Sequence, residues 1–165
     1  MLQRLNQIIF VLKLKVVRFF INFSFKGTNY RGWQSQSNAD SIQGEMEIAM
    51  STLLNMPIRL VASGRTDSGV HAHKMIAHFD AKIQSNSMIN FIYKLNKFLP
   101  DDISVNSIRR VKNDAHARFD ALSRTYEYFI NTKKTPFGNE YQYNLHQSID
   151  INAIKEATKI LKQYD

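Results

Sequence analysis

No cysteine occurs among the 165 residues, which excludes disulfide frameworks, thiolate zinc sites and cysteine nucleophiles. That absence suits a reducing cytoplasm, the expected location. No apolar run is long enough to cross a bilayer, so no membrane span is expected. There is no internal repeat of short period and no low-complexity tract. Acidic residues are in short supply: 14 Asp and Glu stand against 22 Lys and Arg, a net charge of +8. An excess of that size favours polyanionic partners, through phosphate contacts and release of counterions. With 44% hydrophobic and 22% charged residues the chain reads as globular, with room for one core or two small halves sharing one.

The opening stretch "MLQRLNQIIFVLKLKVV" mixes basic and apolar residues, but Lys13 and Lys15 break its apolar core and no small-residue cleavage site follows. Residues 1–15 therefore read as an N-terminal extension rather than a signal or transit peptide. Residues 16–25, rich in Val, Ile and Phe, predict a strand, and a loop over 26–36 follows. Ile42, Met46, Ala49, Met50 and Leu53 fall on one face of a predicted helix over 41–54, with Asp40 or Ser41 able to cap it. Short strands are predicted at 58–63 and 75–81. A second helix over 87–99 carries Met88, Ile92, Leu95 and Leu99 on one face and is closed by Pro100.

Residues 103–111 and 124–131 alternate like strands. A last helix starts at Asp150 with the stripe Ile151, Ile154, Ala157, Leu161 and Tyr164. The order β-α-β-β-α-β-β-α predicts an α+β fold, helices covering one face of a mainly antiparallel sheet, close to the split βαβ plan.

Chemistry concentrates in "GRTDSGVH", residues 64–71. Asp67 stands two places from Arg65 between glycines that allow close approach of another molecule. A neighbouring guanidinium can hold a carboxylate ionised and oriented, as a nucleophile or base requires. The bland alternative is an Asx-turn aspartate beside a solvated arginine. His71 and His73, at i and i+2 on a strand, would face one side, where Asp67 could complete a metal site; one packed and one hydrogen-bonded histidine is the competing reading. The loop "NYRGWQSQ" gathers Tyr30, Arg31, Trp33 and Gln34, rings and planes on which unstacked bases rest and amides that read base edges. Trp33 equally suits an anchor onto the core. Arg124, Tyr126 and Tyr128 alternate in "SRTYEYF" as a stacking platform or as core aromatics with wet hydroxyls.

Together "FKGTNYRGWQSQ", "SIQGEMEIAMSTLL", "ASGRTDSGVHAHKMIAHFDA", "LNKFLPDDISV" and "HARFDALSRTYEYFI" resemble the tRNA pseudouridine synthase A family, in the family's order from about Val17 onward. The resemblance implies that Asp67 is the catalytic aspartate, Arg65 the arginine paired with it, and Tyr126 the ring stacked on the target base. Tyr30, Arg31, Trp33, Gln34, His71 and Arg124 become candidate substrate contacts. It further implies RRM-like halves around a basic cleft, a homodimer, no metal or organic cofactor, and action on uridines 38–40 of the tRNA anticodon stem-loop. Residues 16–111 would form the catalytic half and 112–165 the start of the second.

Two departures stand out. Phe25-Lys26-Gly27 replaces the family's Tyr-Asp-Gly, and the family's C-terminal portion is absent, so an incomplete cleft is expected. A truncated, non-catalytic RNA-binding remnant and a metal-dependent hydrolase on Asp67, His71 and His73 are the alternative readings.

Overall fold

A computed structural model describes residues 15–37, 39–83, 87–145, 147–161 and 163. The extension expected over 1–15 lies almost wholly outside the described residues, as does Tyr164. The chain divides into two compact units, one ending at Leu122 and the other beginning at Ser123. That division falls later than the boundary expected after Val111, because residues 111–120 are tied by hydrogen bonds to the first sheet.

In the first unit β1 (Val17–Phe25) is central. It pairs antiparallel with β3 (Ala72–Ala81) on one side and β4 (Ile103–Arg110) on the other, and β2 (Val61–Ala62) pairs antiparallel with β3. The sheet order is β2-β3-β1-β4. Helix α1 (Ile42–Leu54) connects β1 to β2, and α2 (Met88–Phe98) connects β3 to β4. Because strand side chains alternate between faces, Phe19, Ile21, Phe23 and Phe25 point with Met75, Ala77, Phe79 and Ala81 into one core beneath the helices. Phe19 and Phe79 stack there with ring centroids 5.5 Å apart.

The stripe expected on α1 is realised: Ile42, Met46, Ala49 and Met50 are buried, and Leu53 packs half-buried beside them. Ser41 is the cap, its Oγ accepting the Gly44 N–H at 3.1 Å, and Asn55 ends the helix in the left-handed conformation at φ 50°. Ser41→Ala should lower stability by about 1 kcal/mol without altering the fold, measured as a shifted denaturant midpoint at constant m. On α2, Phe91 and Leu95 are the buried residues, whereas Met88 and Ile92 are only partly covered. Leu99 turns to extended backbone immediately before Pro100, where proline disfavours helical geometry.

The strand expected over 58–63 shortens to Val61–Ala62. The segment before it is bound to α1 side chains instead. The Ile58 N–H donates to Ser51 Oγ at 2.9 Å, the Leu60 N–H donates to Glu47 Oε1 at 2.8 Å, and the Leu60 carbonyl accepts from Gln43 Nε2 at 3.2 Å. Glu47, itself buried, also accepts from Gln43 and Arg59.

The second unit holds a two-residue parallel ladder between β5 (Ile130–Asn131) and β6 (Tyr143–Asn144), a 3-10 turn at Asn139–Tyr141, and α3 (Ile151–Leu161). Asp150 caps α3, its Oδ1 accepting the N–H groups of Asn152 and Ala153 at 2.9 and 3.0 Å. The strand expected over 124–131 is present only at its last two residues; the Phe129 carbonyl accepts the Tyr143 N–H at 2.7 Å, and 124–128 lie outside any ladder among the described residues. On α3 the predicted stripe is not a core: Ile151, Ile154 and Ala157 are exposed.

Candidate active site

Residues 63–71 link β2 to β3, and their geometry is set by a second loop, 26–36, that follows β1. The two are laced together by backbone. The Trp33 N–H donates to the Thr66 carbonyl at 3.1 Å, the Gly69 N–H to the Tyr30 carbonyl at 3.3 Å, and the Ser68 hydroxyl to the same carbonyl at 3.2 Å. The Gly27 N–H donates to His71 Nδ1 at 3.1 Å. Such close backbone approach leaves no room for side chains: a Cβ on Gly27 would overlap the Val70 carbonyl oxygen, and one on Gly32 the Thr66 carbonyl oxygen. Gly32 also holds φ +86°, which L residues rarely adopt. The 26–36 loop is fixed in turn by the Arg31 N–H to the Asp40 carbonyl and by the Gln43 N–H to the Trp33 carbonyl, which joins it to the start of α1.

On this frame Asp67 and Arg65 are both exposed. The Asp67 carbonyl accepts the Val70 N–H at 3.3 Å, closing the turn, so the backbone is fixed while the carboxylate faces outward. Arg65 and Asp67 form no ion pair with each other among the described residues, unlike Arg18–Asp80, Arg59–Glu47 and Lys159–Glu156. The guanidinium pairing expected from their spacing is thus not made in the isolated chain; two solvated side chains gain little from pairing in water.

Tyr30 and Trp33, read as possible stacking rings, belong to the core. Trp33 is 3% exposed, with its ring 5.5 Å from that of Phe23, and Tyr30 is 6% exposed. Burial, with the acidic neighbours Asp102, Glu45 and Asp40, pushes the Tyr30 hydroxyl above its ordinary pKa and keeps it neutral. Arg31 and Gln34, alternating with the buried rings, are exposed. His71 is half-buried and supports the frame through its bond from Gly27. Among the described residues no three His, Asp or Glu side chains gather as a metal-binding group, so His71, His73 and Asp67 do not assemble the site that their spacing allowed. Phe25 of the departure Phe25-Lys26-Gly27 is buried beside Phe23, at 6.1 Å between ring centroids. Arg124 and Tyr126 lie in the second unit, both exposed, Tyr126 to 66%.

Sequence reading named His78 only as a third histidine beside His71 and His73 that could suit a metal, and did not pair it with His116 on the opposite face of the sheet. His78 sits between residues of the buried set, where a polar side chain inside an apolar alternation was the available signal.

The first unit is thus an antiparallel sheet backed by two helices, with a loop fixed by close backbone contacts at Gly27 and Gly32 and an exposed Asp67. A family model described as tRNA pseudouridine synthase matches residues 21–120. The chain belongs to that family. Over 147 residues it is 47% identical to the tRNA pseudouridine synthase A of Parabacteroides distasonis, covering 89% of this chain and 58% of that protein. It is 46% identical to the tRNA pseudouridine synthase A of Bacteroides thetaiotaomicron, over 89% of this chain and 54% of that protein. With the tRNA pseudouridine synthase A of Treponema denticola it shares 41% identity, over 86% of this chain and 55% of the relative. The chain thus spans between half and two thirds of the length of these relatives.

Proposed function

We propose that the protein converts uridine to pseudouridine in tRNA, at positions 38–40 of the anticodon stem-loop, with Asp67 performing the chemistry. The observation that carries this reading is the locked loop: hydrogen bonds from Trp33, Gly69 and Ser68 fix the backbone around Asp67, yet its carboxylate is exposed where a nucleotide can reach it. The relatives' names supply the substrate class. The first unit is read as one RRM-like half of the pseudouridine synthase fold, and the working protein as a cytoplasmic homodimer.

The reaction is an isomerisation. The N1–C1′ glycosidic bond breaks, the uracil turns, a C5–C1′ bond forms, and the proton on C5 is lost while N1 gains one. Atoms and electrons balance within the substrate, so the chemistry calls for no redox cofactor. A uridine in a stem must first leave the stack, at a cost of a few kcal/mol offset by stacking and phosphate contacts. The Asp67 carboxylate can then stabilise or trap the electron-deficient sugar left by the departing uracil, or act as a base. In this reading Arg65 orients the flipped nucleotide, Tyr126 stacks on the base, and Arg31, Gln34, His71 and Arg124 contact the surrounding RNA.

Tritium release from tRNA carrying 5-tritiated uridine tests the proposal. Release that tracks pseudouridine formation at 38–40 is the expected result. Tight binding of tRNA without any release would instead support a non-catalytic RNA-binding role. Because the net charge of +8 favours phosphate contacts, affinity for tRNA should fall at least about tenfold between 50 and 200 mM salt. A flat salt response in filter binding would contradict an electrostatic mode.

A further inference from the structure

On the sheet face away from the helices, residues 115–120 form a single turn that lies against β1 and β3. His78 of β3, 5% exposed, accepts the Ala117 N–H at Nδ1, at 3.1 Å, and Ala117 is buried with it. His116 caps the same turn: its Nδ1 accepts the N–H groups of Arg118 and Phe119 at 3.2 and 3.3 Å. Asp120 closes the turn from the other end, accepting the His116 N–H at 2.7 Å and donating its own N–H to the His116 carbonyl at 2.9 Å. The two imidazoles meet edge to face at 4.6 Å, and Phe119 stacks on His116 at 4.2 Å. Three consecutive backbone N–H groups are therefore satisfied by two imidazole nitrogens.

An imidazole nitrogen that accepts carries no proton, and an imidazolium has no acceptor at all. The hydrogen bonds thus assign both rings as neutral, with the proton on Nε2. We infer that His78 is a positioning residue, a neutral imidazole that latches the 115–120 turn, braced from within by His116, onto the sheet and releases it when protonated. The segment they hold leads directly into Ser123, Arg124 and Tyr126 in the sequence. The inference is independent of the proposed activity, since its test reads amide protection rather than turnover.

The charged groups around the latch set where it opens. Burial works first against a charged His78, joined by the Arg18 guanidinium on β1 and by His116; Asp80 on β3 and Asp120 on the turn work the other way, and the balance holds His78 below its ordinary pKa. Arg109 of β4 stands beyond β1, opposite Phe20, whose other register partner is His78. A depressed value for a base means the folded state binds the proton less readily than the unfolded chain. The latch's contribution is accordingly complete above the ordinary histidine value near 6.5 and is lost as pH falls through the folded value beneath it.

A second tether behaves differently. Arg18 binds Asp80 through two bonds, at 2.9 and 2.8 Å, and donates from Nη1 to the Ala115 carbonyl at 3.1 Å. The Arg18 hydrogen bonds hold the Asp80 carboxyl below its ordinary pKa, and this tether does not depend on an imidazole staying neutral.

Amide hydrogen exchange, corrected for intrinsic rate and followed by NMR from pH 8 downward until the His78 ring signals have themselves titrated, tests the latch. Protection of Ala117 should drop about tenfold, the worth of one hydrogen bond, as His78 titrates, while the β1–β3 ladder amides stay protected. In His78→Asn the Oδ1 is an acceptor that does not titrate, so Ala117 should remain protected through the pH range in which the parent's His78 ring titrates. His78→Ala should leave Ala117 unprotected at every pH. Protection that ignores pH in the parent protein, or an Asn variant that follows the parent's pH profile, would overturn the latch.

Discussion

Asp67→Asn should lower pseudouridine formation by at least about 10³-fold while tRNA affinity stays within a factor of two or three of the parent. The amide nearly matches the carboxylate in shape. The turn is closed by the Asp67 backbone carbonyl, not by its side chain, so the loop should keep its form. On the proposed reading, what is lost is the negative charge and the nucleophilicity or basicity of the carboxylate oxygen, which would trap or stabilise an electron-deficient sugar. Tritium release and filter binding on the same preparation separate the two effects. Near-parental turnover of the asparagine variant would reduce Asp67 to a turn residue and remove the basis of the proposed function.

Trp33→Ala should destabilise the first unit by about 3–5 kcal/mol, the usual cost of deleting a buried aromatic. Trp33 is 3% exposed and packs on Phe23, and its backbone N–H is one of the bonds that hold the Thr66 carbonyl. The loss should therefore appear in the denaturant midpoint before it appears in RNA affinity. Trp33→Phe, which refills part of the volume, should recover much of the stability. If Trp33→Ala instead kept the parental midpoint and weakened tRNA binding, the ring would be a base platform and its burial here would not describe the working protein.

Trp33 also shows what sequence reasoning could reach. An aromatic-rich loop bearing arginine and glutamine suits base stacking and core anchoring equally, because both uses need a large flat apolar surface. Composition cannot separate them; the packing against Phe23 does. The helical stripe Ile42, Met46, Ala49 and Met50 was legible because periodicity alone fixes which face is buried. The strand at 58–63 was overcounted because Val, Ile and Leu report burial rather than pairing, and the N–H groups of Ile58 and Leu60 go to Ser51 and Glu47. No local pattern announces that a helix side chain will replace a strand.

The loop motif was legible as chemistry, Gly-flanked Asp and Arg, but not as an interlock. That property depends on how closely Gly27 and Gly32 let one backbone approach another distant in the chain, Gly27 against Val70 and Gly32 against Thr66. The His78–His116 pair escaped for the same reason: residues 78 and 116 are brought together only by the sheet.

The capture of 58–60 by α1 also bears on how copies of this chain meet in a crowded solution. An open sheet edge is a template on which another chain's strand can pair, and that is one route to aggregation. Here the edge beside β3 is only two residues long, and the backbone that would lengthen it already has its N–H groups at Ile58 and Leu60 engaged by Ser51 and Glu47. An incoming strand would have to displace a buried glutamate to extend its register. The helix that builds the core thereby also stands guard over the β2 flank of the sheet.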